Sequence, residues 1–473
     1  MYLLDRAINR GIVVTMSLAF IGSIMVGKAF GLQPQSTTKP LKRIDVILLT
    51  VDTLRASSLS IYDSQSLSQT PNIDALAQDG VVYAQAYAPI SVTGPSFTTL
   101  MTGQDLTSHG VLVNHYVSRT GLPDSSITLA ETLRDRGYRT GAFISAFTLN
   151  AKLGLNQGFE VYDDKVGAQL RRRSDVSRER AVSWLSTVNE PAFLWFHSFD
   201  THGPLYQWLP DDEKPIIKVK PRVPNDAQKN FSPALIIGDL SDPSAYKALY
   251  AIAVKHTDEQ IGVIVEELQN AGRYEDALIV VTADHGETFT ERIPWFDHGA
   301  HPSQEQLHIP LIIKFPRWMN KTGWDKRTVA LKDIAPTIAE ITGSTGLQPD
   351  GRSLLDPAHR GWPVLVGESS HCTPKALVKC SPLGPLGKTF SARSPTHTVW
   401  LSNLGDKLVY RTYDRRADPF ELVPAAIPAP KMLTDTVNAL RAKRWQELST
   451  RPLLSPPQPS EHDAAMKSLG YVD

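Results

Sequence analysis

Residues 44–55 read IDVILLTVDTLR, an apolar run that is followed directly by an aspartate. Apart from Asp45 and Thr50, the stretch Ile44–Val51 is continuously apolar. Such unbroken runs are typical of strands that are buried on both faces of a parallel sheet. Because ligands of open α/β sheets bind outside the carboxyl ends of the strands, Asp52 would face a functional site from a rigid support. Taken alone, an aspartate after a strand is more often a cap or turn residue.

The same strand pattern recurs along the chain. Helical patterns, among them Ile127–Asp135 and the long Ala245–Asn270, separate the apolar runs. Strands that alternate with helices predict an α/β fold with a large, mostly parallel sheet. The further apolar runs are Ala142–Ala146, Ala192–Phe196, Ala277–Val281 and Pro310–Phe315.

The pattern changes after about residue 365. The stretches His397–Ser402 and Lys407–Tyr413 resemble an antiparallel pair of strands, and a helical pattern follows near Lys431–Glu447. We therefore expect a small C-terminal α+β subdomain over residues 365–473, after a larger α/β domain over residues 44–364.

A proline-rich segment interrupts the larger domain. Residues 203–242 contain six prolines and scattered charges. A long irregular insertion in a compact domain is usually functional, for example as a lid, or else disordered. Both readings stay open for this segment.

The N-terminus predicts export. Arg6 and Arg10 precede a 17-residue apolar stretch, Gly11–Gly27, as in a signal peptide. This length is also the lower limit for a membrane-spanning helix. Residues 1–31 are therefore either a cleaved signal peptide or an N-terminal membrane anchor, and the polar residues 32–43 form a linker. Both readings place the body of the chain outside the cytoplasm, in the periplasm or cell envelope, as a secreted or an inner-membrane-anchored protein.

The charge balance argues against a nucleic-acid partner. The chain has 49 Lys+Arg and 49 Asp+Glu residues, so it carries no net attraction for a polyanion. We interpret the compact basic run Arg171–Arg173 as a solvated helix face rather than a phosphate-binding patch.

Two cysteines, Cys372 and Cys380, are too few for a zinc site of the usual four ligands. In an exported protein such a pair often forms a local disulfide, with two reduced thiols as the alternative.

Aspartate and histidine follow several of the predicted strands. Asp284 and His285 follow the apolar run in LIVVTADHGE, Asp200 and His202 follow the run in FLWFHSFDTHGP, and His298 lies in the loop FDHGAH. An oxygen ligand beside an imidazole suits Zn²⁺ or Mn²⁺. Since four strand ends, including that of the first strand, offer Asp or His, one shared site explains them better than four separate turns.

A hydroxyl side chain, Thr93, lies in SVTGPSFTTLMTG, residues 91–103. Gly94 and Pro95 predict a turn, and Ser96–Met101 predicts a helix whose N-terminus would lie at or near Thr93. Free N–H groups and the helix dipole favour anions there. A hydroxyl in this position is a candidate nucleophile toward a phosphate or sulfate group, since a metal would lower its pKa. The alternative is an ordinary threonine cap.

Taken in order, these segments resemble the sulfatase family of the alkaline phosphatase superfamily across nearly all of residues 44–473. DVILLTVDTLR resembles the first metal strand, TGPSFTTLMTG the nucleophile helix and HGVLVN the loop after it. FDTHGP, TADHGE and HGAHPSQEQLHIPLIIKFP resemble later active-site strands, and MKSLGYVD resembles a common C-terminus. The resemblance implies an alkaline-phosphatase-like sandwich, with a large, mostly parallel central sheet flanked by helices and a small C-terminal α+β subdomain.

The resemblance also implies roles for individual residues. It implies one divalent metal rather than two, because Asp200 and His202 lack the spacing of a full second site. Arg55 matches a basic residue that is common after the first aspartate. The implied metal ligands are Asp52, Asp284, His285 and Thr93, with Thr93 also the nucleophile, and the implied contacts to the ester are Asn114, His202 and His298.

Several positions depart from the sulfatase pattern. Sulfatases have Cys or Ser at the position of Thr93, and oxidise it to formylglycine; threonine cannot give that aldehyde. Their modification motif has Arg at the position of Phe97, their calcium-type site has Asp at Thr53, and they usually have Lys at His298. These departures resemble the threonine-nucleophile branch of phosphotransferases and phosphodiesterases. They imply Zn²⁺ or Mn²⁺ in preference to Ca²⁺, and no formylglycine.

The sequence therefore predicts an exported, metal-dependent hydrolase or transferase that acts on phosphate mono- or diesters through a covalent Thr93 intermediate. Its substrate would be a phosphoester or sulfate ester of a small molecule, a lipid or a glycan. The N-terminal segment could attach the protein to a membrane. Two alternatives stay open: a sulfuric ester hydrolase that works without formylglycine, and a non-catalytic envelope protein that retains the fold.

Overall fold

A computed structural model of the protein describes residues 44–114, 121–167, 170–209, 225–370, 387–404 and 407–450. The predicted signal peptide or anchor, the linker and the pair Cys372 and Cys380 lie outside these residues. Within the described part of the chain, no helix has both the length and the apolar character needed to cross a membrane.

Strands and helices alternate over most of the chain, as the apolar runs predict. The strands are β1 (Val46–Val51), β2 (Val81–Tyr87), β3 (Arg139–Phe143), β4 (Val161–Asp163), β5 (Ala192–Ser198), β6 (Leu278–Ala283), β7 (His308–Ile309), β8 (Leu311–Lys314), β9 (Gly323–Ala330), β10 (Leu365–Glu368), β11 (Thr389–Arg393), β12 (His397–Leu404) and β13 (Lys407–Asp414). The helices are α1 (Pro71–Gln78), α2 (Thr93–Thr102), α3 (Leu106–His109), α4 (Leu129–Asp135), α5 (Ser174–Leu185), α6 (Pro243–Asn270), α7 (Gln304–Leu307), α8 (Ile334–Thr342) and α9 (Lys431–Thr450).

A large sheet runs through the centre of the protein, in the order β4-β3-β5-β1-β6-β8-β2-β7, with β9 paired to β2. The central strand β1 is parallel to both neighbours, β5 and β6. Every residue of these three strands is buried, which explains why the sequence shows unbroken apolar runs. Only strands β7 and β8 run antiparallel to their neighbours in this sheet, among the described residues. The predicted mostly parallel α/β sheet is confirmed.

The strand β3 ends three residues before the end of the apolar run that predicts it. The run Ala142–Ala146 continues apolar beyond β3, but the strand ends at Phe143. The last bond to β4 runs from the backbone N–H of Ile144 to the carbonyl oxygen of Asp163, and Ala146 then forms an isolated bridge with Arg171. Ile144, Ser145 and Ala146 are buried although they lie beyond the strand, so the apolar pattern alone cannot mark its end.

A second, antiparallel sheet has the order β10-β11-β12-β13 and contains the predicted strand pair β12 and β13. A small apolar cluster joins this sheet to α9. A buried ion pair, Arg444 Nε to Glu368 Oε2 at 2.8 Å, also fixes α9 against β10. The residues of the apolar cluster are Ala392, Val399, Leu401, Leu433 and Val437.

The interpretation of Arg171–Arg173 as a solvated helix face is wrong. These residues precede α5, which begins at Ser174. Arg172 is buried: its guanidinium donates to the carboxylate of Asp163 at 3.0 Å and to the carbonyl of Ile144 at 2.7 Å. The cluster therefore ties the start of α5 to the ends of β3 and β4, and only the third arginine is exposed.

This difference in burial gives a stability prediction. Arg172→Ala leaves the buried carbonyl of Ile144 without its donor and leaves the Asp163 carboxylate with Arg180 alone, so we expect a loss of about 2 kcal/mol in the free energy of unfolding. Arg173→Ala is the matched control, because its side chain is 46% exposed and pairs with Asp175 at the surface; it should change stability by less than about 1 kcal/mol. Urea unfolding followed by fluorescence measures both values. Equal effects of the two variants would contradict the buried role of Arg172.

Candidate active site

The register of the central strands brings two aspartates together. Val51, the last residue of β1, is paired with Ala283, the last residue of β6. The next residues, Asp52 and Asp284, therefore leave adjacent parallel strands at the same level. The backbone N–H of Thr53 donates to Asp284 Oδ1 at 3.1 Å, which joins the two strand ends directly. Both aspartates are fully buried.

The turn after Asp52 is strained. Thr53 has φ 54°, a left-handed conformation that a β-branched residue rarely adopts. Such a conformation costs roughly 1–3 kcal/mol and persists where the surroundings impose it. Here the surroundings are the bond to Asp284 and the hydroxyl of Tyr250, which donates to the Thr53 carbonyl at 2.8 Å. The strain fixes the direction in which the chain leaves β1.

The imidazole of His285 is held in one orientation. Its Nδ1 lies 2.8 Å from the carbonyl oxygen of Gly286, and a carbonyl can only accept, so Nδ1 carries the proton. The Nε2 lone pair then faces Asp284 Oδ2 at 3.3 Å. This is the arrangement that orients histidine ligands in metal sites. Asp52, Asp284 and His285 each offer one ligand atom, and these atoms all lie within 4.8 Å of one another.

The two carboxylates fit a divalent cation. Within the described residues, three carboxylate oxygens of the pair have no hydrogen-bond partner: both of Asp52, and Oδ2 of Asp284. Burial raises the pKa of Asp52 to about 7, although the nearby His298 lowers it. Burial and the charge of Asp52 raise the pKa of Asp284 well above its ordinary range. Burying such charges is costly unless a cation compensates them, so a divalent ion suits this donor set.

Thr93 is the first residue of α2, and every residue of that helix is buried. Its hydroxyl is close enough to Asp52 to lower the pKa of that carboxyl group, which brings the candidate nucleophile to the carboxylate cluster. Asn114 Oδ1 accepts the backbone N–H of Gly94 at 2.8 Å and so supports the first turn. A side chain on Gly94 would begin 2.9 Å from that oxygen, which explains why glycine follows the threonine.

Two further histidines lie beside this cluster. The ring of His298 lies 4.6 Å from that of His285 and 5.0 Å from that of His202. His202 Nδ1 donates to the carbonyl of Gly203 at 2.6 Å, which orients its ring. Burial alone would lower the pKa of His298, but the carboxylate of Glu287, 3.2 Å from Nδ1, raises it to about 9. Of the predicted ester contacts, His298 thus lies beside the predicted ligand His285, His202 lies beside His298, and Asn114 supports the helix that begins at Thr93.

Two residues from the sequence analysis do not belong to this cluster. Asp200 follows β5 but turns away: its carboxylate accepts the backbone N–H of Ser174 at 3.2 Å, at the start of α5, and the Nδ1 of His256 at 2.9 Å. Arg55 pairs with Glu291 at 2.8 Å. The expectation that four strand ends supply one site is therefore wrong for Asp200, which caps a helix.

The described part of the insertion 203–242 borders the site. It contains only single 3₁₀ turns, one of them Pro233–Leu235. The side chain of Leu235 packs against Gly203, next to His202. Phe231 stacks on Phe296 with ring centroids 5.6 Å apart, and so fixes the segment to the loop before His298. The segment is irregular, as predicted, and forms part of the wall beside the histidines.

Sequence reasoning missed a buried histidine inside β5. His197 Nδ1 accepts the backbone N–H of Ser145 at 3.3 Å, and burial lowers the pKa of the ring to about 3, so the neutral ring carries its proton on Nε2. That N–H faces Asp52 Oδ2 at 3.6 Å. The sequence signal was present, since His197 is the polar residue in FLWFH, but only the β1–β5 register shows that it faces Asp52. Sequence reasoning also missed Glu287, which follows β6 in TADHGE and contacts His298.

Known proteins with similar sequences and folds identify the family to which the chain belongs. A family model described as Sulfatase matches residues 44–344. The chain belongs to the sulfatase family. Within that family it is 24% identical over 341 residues to the human N-sulphoglucosamine sulphohydrolase, a match that covers 66% of this chain and 65% of the relative. It is 22% identical to an N-acetylglucosamine-6-O-sulfatase of Bacteroides thetaiotaomicron, over 64% of this chain and 68% of that protein.

The chain spans less than two thirds of the length of some of these sulfatases, among them 48% of an ulvan-active sulfatase of Formosa agariphila. Solved structures are similar over more of the chain. The phosphonate monoester hydrolase of Agrobacterium radiobacter has a TM-score of 0.62 at 21% identity, over 86% of this chain and 95% of that structure. A 2-O GAG sulfatase has a TM-score of 0.65 at 17% identity, over 87% of this chain and 94% of that structure. These likenesses establish the alkaline-phosphatase-like fold of the sulfatase family.

The position of His197 gives a prediction on metal binding. His197→Ala removes the N–H that faces Asp52, so we expect the affinity for Zn²⁺ or Mn²⁺ to fall by roughly 10–100-fold, as for other groups that orient metal ligands. Titration against a chromophoric chelator measures the change.

The matched control is His308→Ala, because His308 lies outside the cluster, with its Nε2 at 3.0 Å from the carbonyl of Ala84. Equal affinities in both variants, with the fold intact by circular dichroism, would refute the positioning role of His197.

Proposed function

We propose that this sulfatase-family protein is an exported, metal-dependent hydrolase or transferase of phosphate mono- or diesters, with Thr93 as its nucleophile. The proposal rests on the position of Thr93 at the buried N-terminus of α2 and on the buried cluster of Asp52, Asp284 and His285, whose ligand atoms lie close enough together to hold a metal ion. The Thr93 hydroxyl also lowers the pKa of Asp52 in that cluster. Export rests on the N-terminal sequence, Arg6 to Gly27.

The residues of the site account for a two-step reaction. Asp52, Asp284 and His285 would hold one Zn²⁺ or Mn²⁺, whose Lewis acidity favours a deprotonated hydroxyl and a polarised ester at neutral pH. Thr93 attacks phosphorus as the bond to the leaving alcohol breaks, and forms a phospho-threonine. Splitting one difficult displacement into two easier ones is the contribution of a covalent nucleophile.

Groups around Thr93 serve the charge and the protons of this reaction. The N-terminus of α2 stabilises the negative charge that develops on the phosphoryl oxygens. Asn114 holds the first turn of that helix in place. His298, which Glu287 keeps protonated, gives a proton to the leaving oxygen, and water or an acceptor alcohol then releases the group from Thr93. His202, a neutral ring whose Nδ1 donates to Gly203, contacts the ester without supplying the proton.

A sulfuric ester hydrolase is the second candidate. It is favoured by the names of the relatives, which are sulfatases. Against it stands Thr93, since threonine cannot be oxidised to the aldehyde of formylglycine. Such an enzyme would have to use the hydroxyl itself, and the same site would serve it.

Substitutions at Thr93 test the nucleophile. Thr93→Ala should lower turnover by at least ~10³-fold, since nucleophile removal abolishes the covalent step, and should leave the metal bound through Asp52, Asp284 and His285. Thr93→Ser keeps the hydroxyl and is the matched control, which should retain measurable turnover. Mass spectrometry of the quenched enzyme should detect one added phosphoryl group on Thr93. Full activity of Thr93→Ala would rule out this mechanism.

The ester class is decided by a substrate panel. p-Nitrophenyl phosphate, bis-p-nitrophenyl phosphate and p-nitrophenyl sulfate are compared with added Zn²⁺, Mn²⁺ or Ca²⁺. Because Thr93 takes the place of a formylglycine precursor, we expect turnover of a phosphate ester with Zn²⁺ or Mn²⁺. Turnover of the sulfate ester alone would replace the first proposal by the second.

A further inference from the structure

A buried glutamine, Gln306 in α7, connects three segments that surround the candidate active site. Its side chain is 1% exposed. Its Oε1 accepts the hydroxyl of Ser91 at 2.8 Å, and its Nε2 donates to Thr288 Oγ1 at 2.6 Å and to the carbonyl of Asp297 at 3.3 Å. Its backbone carbonyl accepts the N–H of Gly286 at 2.7 Å. One residue therefore bonds to all three segments.

Each partner of Gln306 lies one or two positions along the chain from a residue of the site. Since consecutive Cα atoms are only about 3.8 Å apart, holding such a neighbour restricts the position of the site residue itself. Gln306 thus joins the strand end of a metal ligand, the segment of the nucleophile and the loop of the proton donor. The neighbours are Ser91 and Thr93, Gly286 and His285, Thr288 and Glu287, and Asp297 and His298.

The hydrogen-bonding capacities of these groups fix the orientation of the amide. A backbone carbonyl only accepts, so the NH₂ of Gln306 faces Asp297, and Oε1 faces Ser91. The Ser91 hydroxyl donates its one proton to Oε1, and its oxygen accepts the backbone N–H of Gly299 at 3.0 Å. Ser91 is fully buried. The residues before and after His298 are therefore both tied to Ser91.

A displacement at phosphorus constrains the two groups that this link connects. The attacking and the leaving oxygens lie roughly in line. Thr93 and His298, which protonates the leaving oxygen, must therefore keep a fixed separation. A misplacement of about 1 Å can reduce the rate ~10²-fold. The bonds of Gln306 and Ser91 supply this restraint.

We propose that Gln306 is a positioning residue that, together with Ser91, sets the distance between the proton donor His298 and the nucleophile Thr93. The inference rests on the proposed function, which gives these two groups their roles. An amide suits the task because it accepts from a hydroxyl and donates to a carbonyl, which neither a carboxylate nor an apolar side chain can do. Loss of the link impairs proton transfer and leaves the metal ligands in place.

The dependence of the rate on the leaving group separates a misplaced proton donor from a general loss of structure. kcat/KM is measured for 2,4-dinitrophenyl and phenyl phosphates, as mono- or diesters according to what the parent accepts. Gln306→Met should lower kcat/KM for the phenyl ester at least ~10-fold, because general acid catalysis contributes ~10²–10⁴-fold. The loss for the dinitrophenyl ester should stay below about threefold, because its leaving group departs without a proton. Metal content should equal that of the parent.

A second variant and a control accompany this measurement. Ser91→Ala removes the other end of the link and should show the same selective loss. Combining it with Gln306→Met should add less than about twofold, since residues of one hydrogen-bond network are not additive. The control is Gln260→Met, because Gln260 is also buried but bonds to Arg178 Nε, at 3.2 Å, between α6 and α5. This control should leave the ratio of the two esters unchanged.

Three outcomes would overturn the inference: equal losses for both esters in Gln306→Met, no loss for either, or the same change of ratio in Gln260→Met. Hydrogen exchange followed by mass spectrometry tests the link without any reaction. Gln306→Met should increase exchange in peptides over residues 88–93 and 286–299, and Gln260→Met should not. If the parent turns over no aryl phosphate but this increase is found, the proposed reaction fails and the link stands. Unchanged exchange in both peptides would contradict the link itself.

Discussion

The parallel pairing of β1 with β5 and β6 is the constraint on which the site depends. Because Val51 is in register with Ser198 and Ala283, three strand ends reach one edge of the sheet at one level. The residues that follow, Asp52 and Asp284, then need only the turn at Thr53 to face each other. A shift of one residue in either pairing would move an aspartate to the other face of the sheet. The site is thus as rigid as the core that holds these strands.

The rigid strand ends hold the carboxylates of Asp52 and Asp284 close together in spite of their electrostatic repulsion. Two buried carboxylates side by side repel each other and lose their hydration, which disfavours the folded state unless a cation lies between them. The sequence supplies oriented partners for that cation: His285 is fixed by Gly286, and His197 faces Asp52 from the neighbouring strand. The strained turn at Thr53 belongs to the same arrangement. Backbone strain and the repulsion of buried charges cluster at functional sites, and here both occur at the proposed metal site.

The sequence predicted the fold class and most of the cluster because both depend on local patterns. An unbroken apolar run followed by Asp identified β1 and β6. The predicted helix exists and begins at Thr93, but the predicted turn at Gly94 and Pro95 is wrong, because both residues belong to the first turn of α2. The strand-end pattern alone does not separate Asp52 from Asp200, since both follow buried strands; the family resemblance left Asp200 out of the metal ligands, and tertiary packing shows that it turns back to α5.

The roles of other residues depend on packing and register that a sequence does not encode locally. His197 lies within a strand, where periodicity predicts burial and says nothing of its neighbour. The same limit applies to Arg172. Its position in a run of three arginines predicted an exposed side chain, but it is buried and bonded to Asp163 and Ile144. Burial of a charge is decided by long-range contacts, so the pattern of one segment cannot reveal it.

The central claim is that the strand register assembles one divalent-metal site in front of Thr93. Metal analysis of the purified protein, dialysed against Zn²⁺ or Mn²⁺, tests it most directly. Asp284→Asn and Asp200→Asn are compared because both aspartates follow central strands and only one belongs to the cluster. We predict one ion per chain in the parent and in Asp200→Asn, and none in Asp284→Asn. A parent protein without metal, or full occupancy in Asp284→Asn, would contradict the account.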